Sequence, residues 1–173
     1  MGPQTMHKLS NVVGKPVVSA ESGERIGKVA DLLLDADSRH VVGLVVAAGL
    51  LGGEHVLPFR DVQTLGRDAV IAGSRSGVMS PVEWRREAVQ SVRTSTLKHK
   101  RVLTTGGRAL GEVQDVLLGD TGNVEALEIS GSAVGGLLSR RTTVAQAPGV
   151  TVGADAVLVP EEAVETLEEG RTS

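Results

Sequence analysis

The chain has 173 residues, of which 40% are hydrophobic and 23% charged, with a formal net charge of −3 and no cysteine. This composition suits one ordinary globular domain or two small ones and excludes a disordered chain, a disulfide framework, thiolate chemistry and a Cys-ligated zinc site. One Trp, one Phe and no Tyr leave few stacking platforms for single-stranded nucleic acid, and the mildly acidic balance gives no general attraction to phosphate backbones or anionic membranes.

In chain order, MGPQTMHKLS lacks the apolar core of a signal peptide, and MGPQT is left out of the expected fold. "KPVVSA" predicts a short strand, "ESGE" a glycine turn and "RIGKVADLLLD" a longer strand. "ADSR" turns the chain into "HVVGLVVAAG", and "EHVLPF" and "DAVIA" complete a first set. The longest uncharged stretch, Val41 to Gly53, is too short and too glycine-rich to span a bilayer. A cytoplasmic protein without membrane insertion is therefore expected. "SPVEWRREAVQSV" then carries a capping-box start, with Ser80, Pro81 and Glu83 in order, and predicts a connecting helix. Trp84 on that helix is expected to pack on or between the flanking units; exposed, it would be an anchor for a partner.

A second set of strands follows. "RVLTT", "ALGEVQDVLL", "VEALEIS", "RTTVAQ" and "DAVLV" repeat the order of the first. "ERIGKVADLLLD" aligns with "RALGEVQDVLLG" so that Gly27 meets Gly111 and Asp31 meets Asp115, and "LGRDAVI" aligns with "VGADAVL". The chain is an internal duplication. The broken alternation in "VEALEIS" predicts a bulge. "PEEAVETLEEG" predicts a C-terminal helix with an acidic, solvated face.

Short hairpin-connected strands with no long free edges imply closure into small barrels. The pattern "GKPV…S…GE.IGKV.DLLLD…V.GLVV…VLPF.DV..LG.DAVI" resembles the PRC-barrel family. Its members include the cytoplasmic barrel of the photosynthetic reaction centre H subunit and the C-terminal barrel of the ribosome maturation factor RimM. The expected fold is mainly all-β: two small antiparallel barrels, at 8–78 and 93–170, joined by a linker helix at 79–92 and followed by a C-terminal helix. The second copy departs from the pattern at "TTVAQAPGV", where its fourth strand is least defined.

No catalytic, cofactor or metal constellation emerges. From Asp35, an EF-hand would need an oxygen ligand at the fifth position and glycine at the sixth, where Arg39 and His40 stand. "GERIGKV" is one residue short of a phosphate loop and lacks its hydroxyl. His7, His40, His55 and His99 are spread singly, and no serine lies in a nucleophile elbow. Asp31 and Asp115 recur in both copies and are expected to accept backbone N–H groups near a strand bend.

Two loops, "GLLGG" and "GGLLS", carry leucine pairs at equivalent places in the two copies. Leu50, Leu51, Leu137 and Leu138 are accordingly candidate partner contacts, with internal packing as the alternative. The basic cluster "LKHKR" at 97–101 and the Arg140–Arg141 pair together suit contact with RNA or an acidic protein, and a strand edge protected by lysine explains the first cluster as well. The resemblance implies docking and scaffolding rather than a shared enzymatic motif. The expected function is a non-enzymatic interaction module with an unidentified protein partner, homodimerisation being open. A ribosome-assembly adaptor and an enzyme with a site between the barrels stand as alternatives.

Overall fold

The computed structural model describes residues 5–35, 37, 39–49, 52–131, 141–145 (backbone) and 150–163. The first unit contains β1 (His7–Lys8), a one-turn helix α1 (Leu9–Val12), β2 (Pro16–Ser19), β3 (Arg25–Asp35), β4 (Val41–Ala47), β5 (Glu54–Pro58), β6 (Val62–Leu65) and β7 (Val70–Ala72). Helix α2 (Pro81–Arg86) and β8 (Ser91–Arg93) lead through a 3₁₀ turn at Thr94–Thr96 into the second unit. That unit contains β9 (Arg101–Thr104), β10 (Ala109–Leu118), β11 (Val124–Ser130), β12 (Arg141–Ala145), β13 (Thr151–Val152) and β14 (Ala156–Val159).

Each unit is a curled sheet built the same way. The strand order β5-β4-β3-β2-β7-β6 in the first is matched by β12-β11-β10-β9-β14-β13 in the second. Neighbours are antiparallel except at one place in each unit, where β2 pairs with β7 and β9 with β14 in parallel. The expected antiparallel barrels thus each contain one parallel closure. It also corrects the reading of "LKHKR" as a strand edge, because β9 lies between β10 and β14. The fourth strand of the second copy is present as β12, in register with β11 from Ala126↔Ala145 to Ser130↔Arg141.

Bulges curl both sheets at equivalent positions. Ala30 is the extra residue in β3 against β4, and Gln114 in β10 against β11. Val42 in β4 and Glu125 in β11 supply the second pair of bulges. The irregularity read from "VEALEIS" is therefore shared between two strands. The recurring glycines sit where strands cross closely. A Cβ on Gly27 would lie 2.3 Å from the Ala47 carbonyl oxygen, and one on Gly111 2.3 Å from that of Ser130.

Val29, Leu32 and Leu34 from β3, with Val113, Val116 and Leu118 from β10, belong to one contiguous buried cluster that runs through both units. Helix α2 begins with the expected capping box, Ser80 Oγ accepting from the Glu83 N–H and Glu83 Oε2 from the Ser80 N–H. Of the predicted C-terminal helix, one turn at 161–163 is described, with Ala163 against the core. No helix among the described residues is long and apolar enough to cross a membrane.

Candidate functional site

The two units are joined by an exchange of their leading segments. β1 of the first unit pairs with β10 of the second (His7↔Leu118, Lys8↔Leu117). β8, which leads the second unit, pairs with β3 of the first (Leu33↔Arg93, Leu34↔Val92, Asp35↔Ser91). The turn that follows each lead leaves main-chain N–H groups without an intrahelical acceptor, and the recurring aspartates supply one. Asp115 Oδ1 accepts from the Ser10 N–H at 3.1 Å, and Asp115 Oδ2 from the Ser10 hydroxyl. Asp31 Oδ1 accepts from the Ser95 N–H at 3.3 Å and the Thr94 hydroxyl at 2.5 Å, while its Oδ2 accepts from the Ser95 hydroxyl at 2.6 Å. Each aspartate also takes the N–H that follows it in its own strand, Leu32 at 2.8 Å and Val116 at 2.9 Å.

Both carboxylates are buried, so these bonds replace water that the groups have lost. The hydrogen-bonding expectation for Asp31 and Asp115 matches this geometry, but the donors that matter most come from the opposite unit. Further down the leads the match continues. Val12 and Leu97 are both buried at 1% exposure, which makes each lead part of the core. The next turn has positive φ in both copies, at Gly14 (94°) and His99 (65°). Lys15 and Lys100 then each donate to a turn carbonyl, Gly66 at 2.8 Å and Gly153 at 2.7 Å.

The hairpin tips complete the joint. His40 and Asn123 form an antiparallel bridge, Val41 N–H donates to the Gly122 carbonyl and Val124 N–H to that of Arg39. Thr5 and His7, outside the predicted unit boundary at 8, both reach Asp120, at 3.1 and 2.7 Å. These two bonds hold the Asp120 carboxyl below the usual carboxylate range, the His7 side chain contributing most.

The outer face of the first sheet carries the tryptophan. Trp84 is 8% exposed and packs with Leu33, Val45 and Val56, with Ala30, Val42 and Met79 around them. This burial withdraws the indole as an exposed partner anchor; it fastens α2 to the sheet. Beside it a groove of about 590 Å³ runs between α2 and β8, lined by Trp84, Arg85, Ala88, Val89, Ser91 and Val92 among others. Val89 and Val92, each 38% exposed, give this lining an accessible apolar pair. Glu83 is held below its ordinary pKa by the Ser80 main-chain and hydroxyl hydrogen bonds, so the cap of α2 stays charged. Next along β8, Arg93 pairs with Glu54, which raises the guanidinium pKa further.

Leu50, Leu51, Leu137 and Leu138 lie outside the described residues, as does Arg140. The base of the first leucine loop borders a cleft of about 400 Å³ formed by Arg25, Gly27, Lys28, Ala47, Ala48, Gly49 and Gly53. Within "LKHKR", Leu97 is core, Lys100 is spent on Gly153, and His99 stands 3.7 Å from Glu112. Lys98 and Arg101 are exposed. Among the described residues no group of three His, Asp or Glu side chains is placed to hold a metal ion.

The family model of the PRC-barrel domain matches the chain twice, over residues 4–79 and 90–164. No curated protein matches it.

Proposed function

Because the chain belongs to the PRC-barrel family, with two barrel units in tandem, we propose that it is a non-enzymatic scaffold whose joined barrels present fixed surfaces to a protein partner. The observation that supports this most is the exposed pair Val89 and Val92 lining the α2–β8 groove beside Trp84. Apolar side chains grouped at a concave rim lose water on docking, whereas singly scattered ones are ordinary surface. The groove is held on a body with little freedom, since α2 is pinned by Trp84 and β8 by β3 and Asp31. A prearranged surface avoids the ordering cost that a mobile loop would bring to binding. The leucine pairs at 50–51 and 137–138 are a second contact region in this reading.

The test is crosslinking and affinity capture from the source cell, with and without nuclease. It compares the native chain with Val89→Asp/Val92→Asp and with Leu50→Asp/Leu137→Asp, each first checked for native thermal unfolding. A protein captured by the native chain, resistant to nuclease and lost with one folded variant, supports the scaffold. Capture of ribosomal proteins that disappears with nuclease replaces it with an RNA-dependent adaptor.

A further inference from the structure

The contact between the two units has the form of a two-fold interface within one chain. Every component occurs twice. A lead strand adds to the opposite long strand, a buried aspartate binds the turn after it, and a lysine closes on a carbonyl. The tip bridge between His40 and Asn123 joins equivalent places. Such an interface is satisfied equally by two units of one chain or by units of two chains.

What decides between these is the connection from α2 to β8. Helix α2 lies on the outer face of the first sheet, and β8 adds to β3 of the same sheet, so the chain doubles back at Ala88, Val89 and Gln90. Ala88 is the turning point. Its φ is 55°, one of two positive values among non-glycine residues described, and the left-handed conformation is unfavourable for a residue with a Cβ. All three residues are exposed, and the Ala88 N–H reaches the Arg85 carbonyl at 3.2 Å. Straightening this hinge sacrifices little packing and releases the strained backbone.

The geometry points to a second copy of this chain as a partner by unit exchange. In the exchanged dimer the first unit of each copy joins the second unit of the other, with all lead, aspartate and tip contacts kept. The hinge then runs extended from α2 on one assembled body to β8 on the next. This goes beyond the scaffold reading and does not depend on it.

The chain has no cysteine, which makes the exchange directly readable. Lys8 and Leu117 are Cα partners in the β1–β10 pair. A Lys8→Cys/Leu117→Cys chain, refolded across a range of concentrations and oxidised, should form an intrachain disulfide in its monomer fraction and a covalent dimer in its dimer fraction. Mixing Lys8→Cys and Leu117→Cys single variants before refolding should yield dimers linked 8 to 117, identified by peptide mass. Ala88→Gly relieves the hinge and should lower the dimer association constant roughly tenfold, while Ala88→Val should raise it. Absence of a dimer at any concentration overturns the proposal. So does a dimer whose disulfides remain within single chains, or one indifferent to both Ala88 substitutions.

Discussion

The outer faces of the two sheets are built on the same strands yet solve different problems. In the first unit Ala30, Leu33, Val42, Val45 and Val56 lie under α2 and Trp84. In the second, Gln114 and Glu125 stand at the bulge positions of Ala30 and Val42. Glu128 opposes Asp115 as Val45 opposes Asp31. Lys8, arriving on the exchanged lead, meets Glu128 at 3.3 Å, and a cleft of about 420 Å³ opens beside them, lined also by Ser10, Asn11, Gln114 and Asp115. The inner faces are interchangeable in chemistry; the outer faces are not. Duplication preserved what closes the barrel and the joint, while the outer surface diverged into one covered apolar face and one polar face.

Placing the second unit's residue in the first should have the largest effect. Val45→Glu puts a carboxylate at a position 2% exposed beneath Trp84, where Arg93, opposite Leu33 on β8, is already paired with Glu54. It should destabilise the chain by at least about 3 kcal/mol in urea unfolding. Trp84→Ala comes next, at about 3 kcal/mol, because it empties the space over Val45 and Val56. Leu117→Ala, at the half-buried counterpart of Leu33, should cost less than half of that.

The reverse exchange sharpens the comparison. Glu128→Val removes the Lys8 contact but also a carboxylate that is 8% exposed. The desolvation it relieves offsets the attraction it loses, and stability should change by no more than about 1 kcal/mol. The smallest effect concerns the first lead alone. The folded-state pKa of Asp120 is depressed by His7 and Thr5, so its contribution is present above the ordinary carboxylate pKa. It is lost as pH falls through the depressed value. Amide exchange at residues 7–9 should accelerate on that acid side, and Asp120→Asn should show the faster exchange already at neutral pH.

The difference between the outer faces was partly legible in the sequence. "VVGLVVA" has no polar alternation, as expected of a strand covered on both sides, whereas "VEALEIS" carries Glu125 and Glu128. The duplication, its glycines and its aspartates were equally plain, since each recurs at a nearly constant offset. The exchange of leads was not read. Ser10 and Ser95, or Lys15 and Lys100, repeat at an offset one residue longer than Asp31 and Asp115. Two-residue strands such as "HK" moreover carry no mark of the strand that they join. "LKHKR" looked like a charged edge because its parallel partner, β14, lies more than fifty residues away. Trp84 was ambiguous for a related reason. The helix pattern fixes which side chains share a stripe, and only the sheet beneath shows which stripe is buried.

The central claim is that the exchanged leads make the two barrels one cooperative body. The single tryptophan, Trp84, reports on the first unit alone, while far-ultraviolet circular dichroism reports on both. Asp115→Ala, in the second unit, removes the acceptor of Ser10 and should lower stability by about 2 kcal/mol. Urea unfolding of this variant, followed by both signals, is the direct test. One body predicts that Trp84 fluorescence and circular dichroism shift together to the same lower midpoint. A fluorescence midpoint that stays at the native value while circular dichroism splits into two transitions would show that the barrels unfold independently.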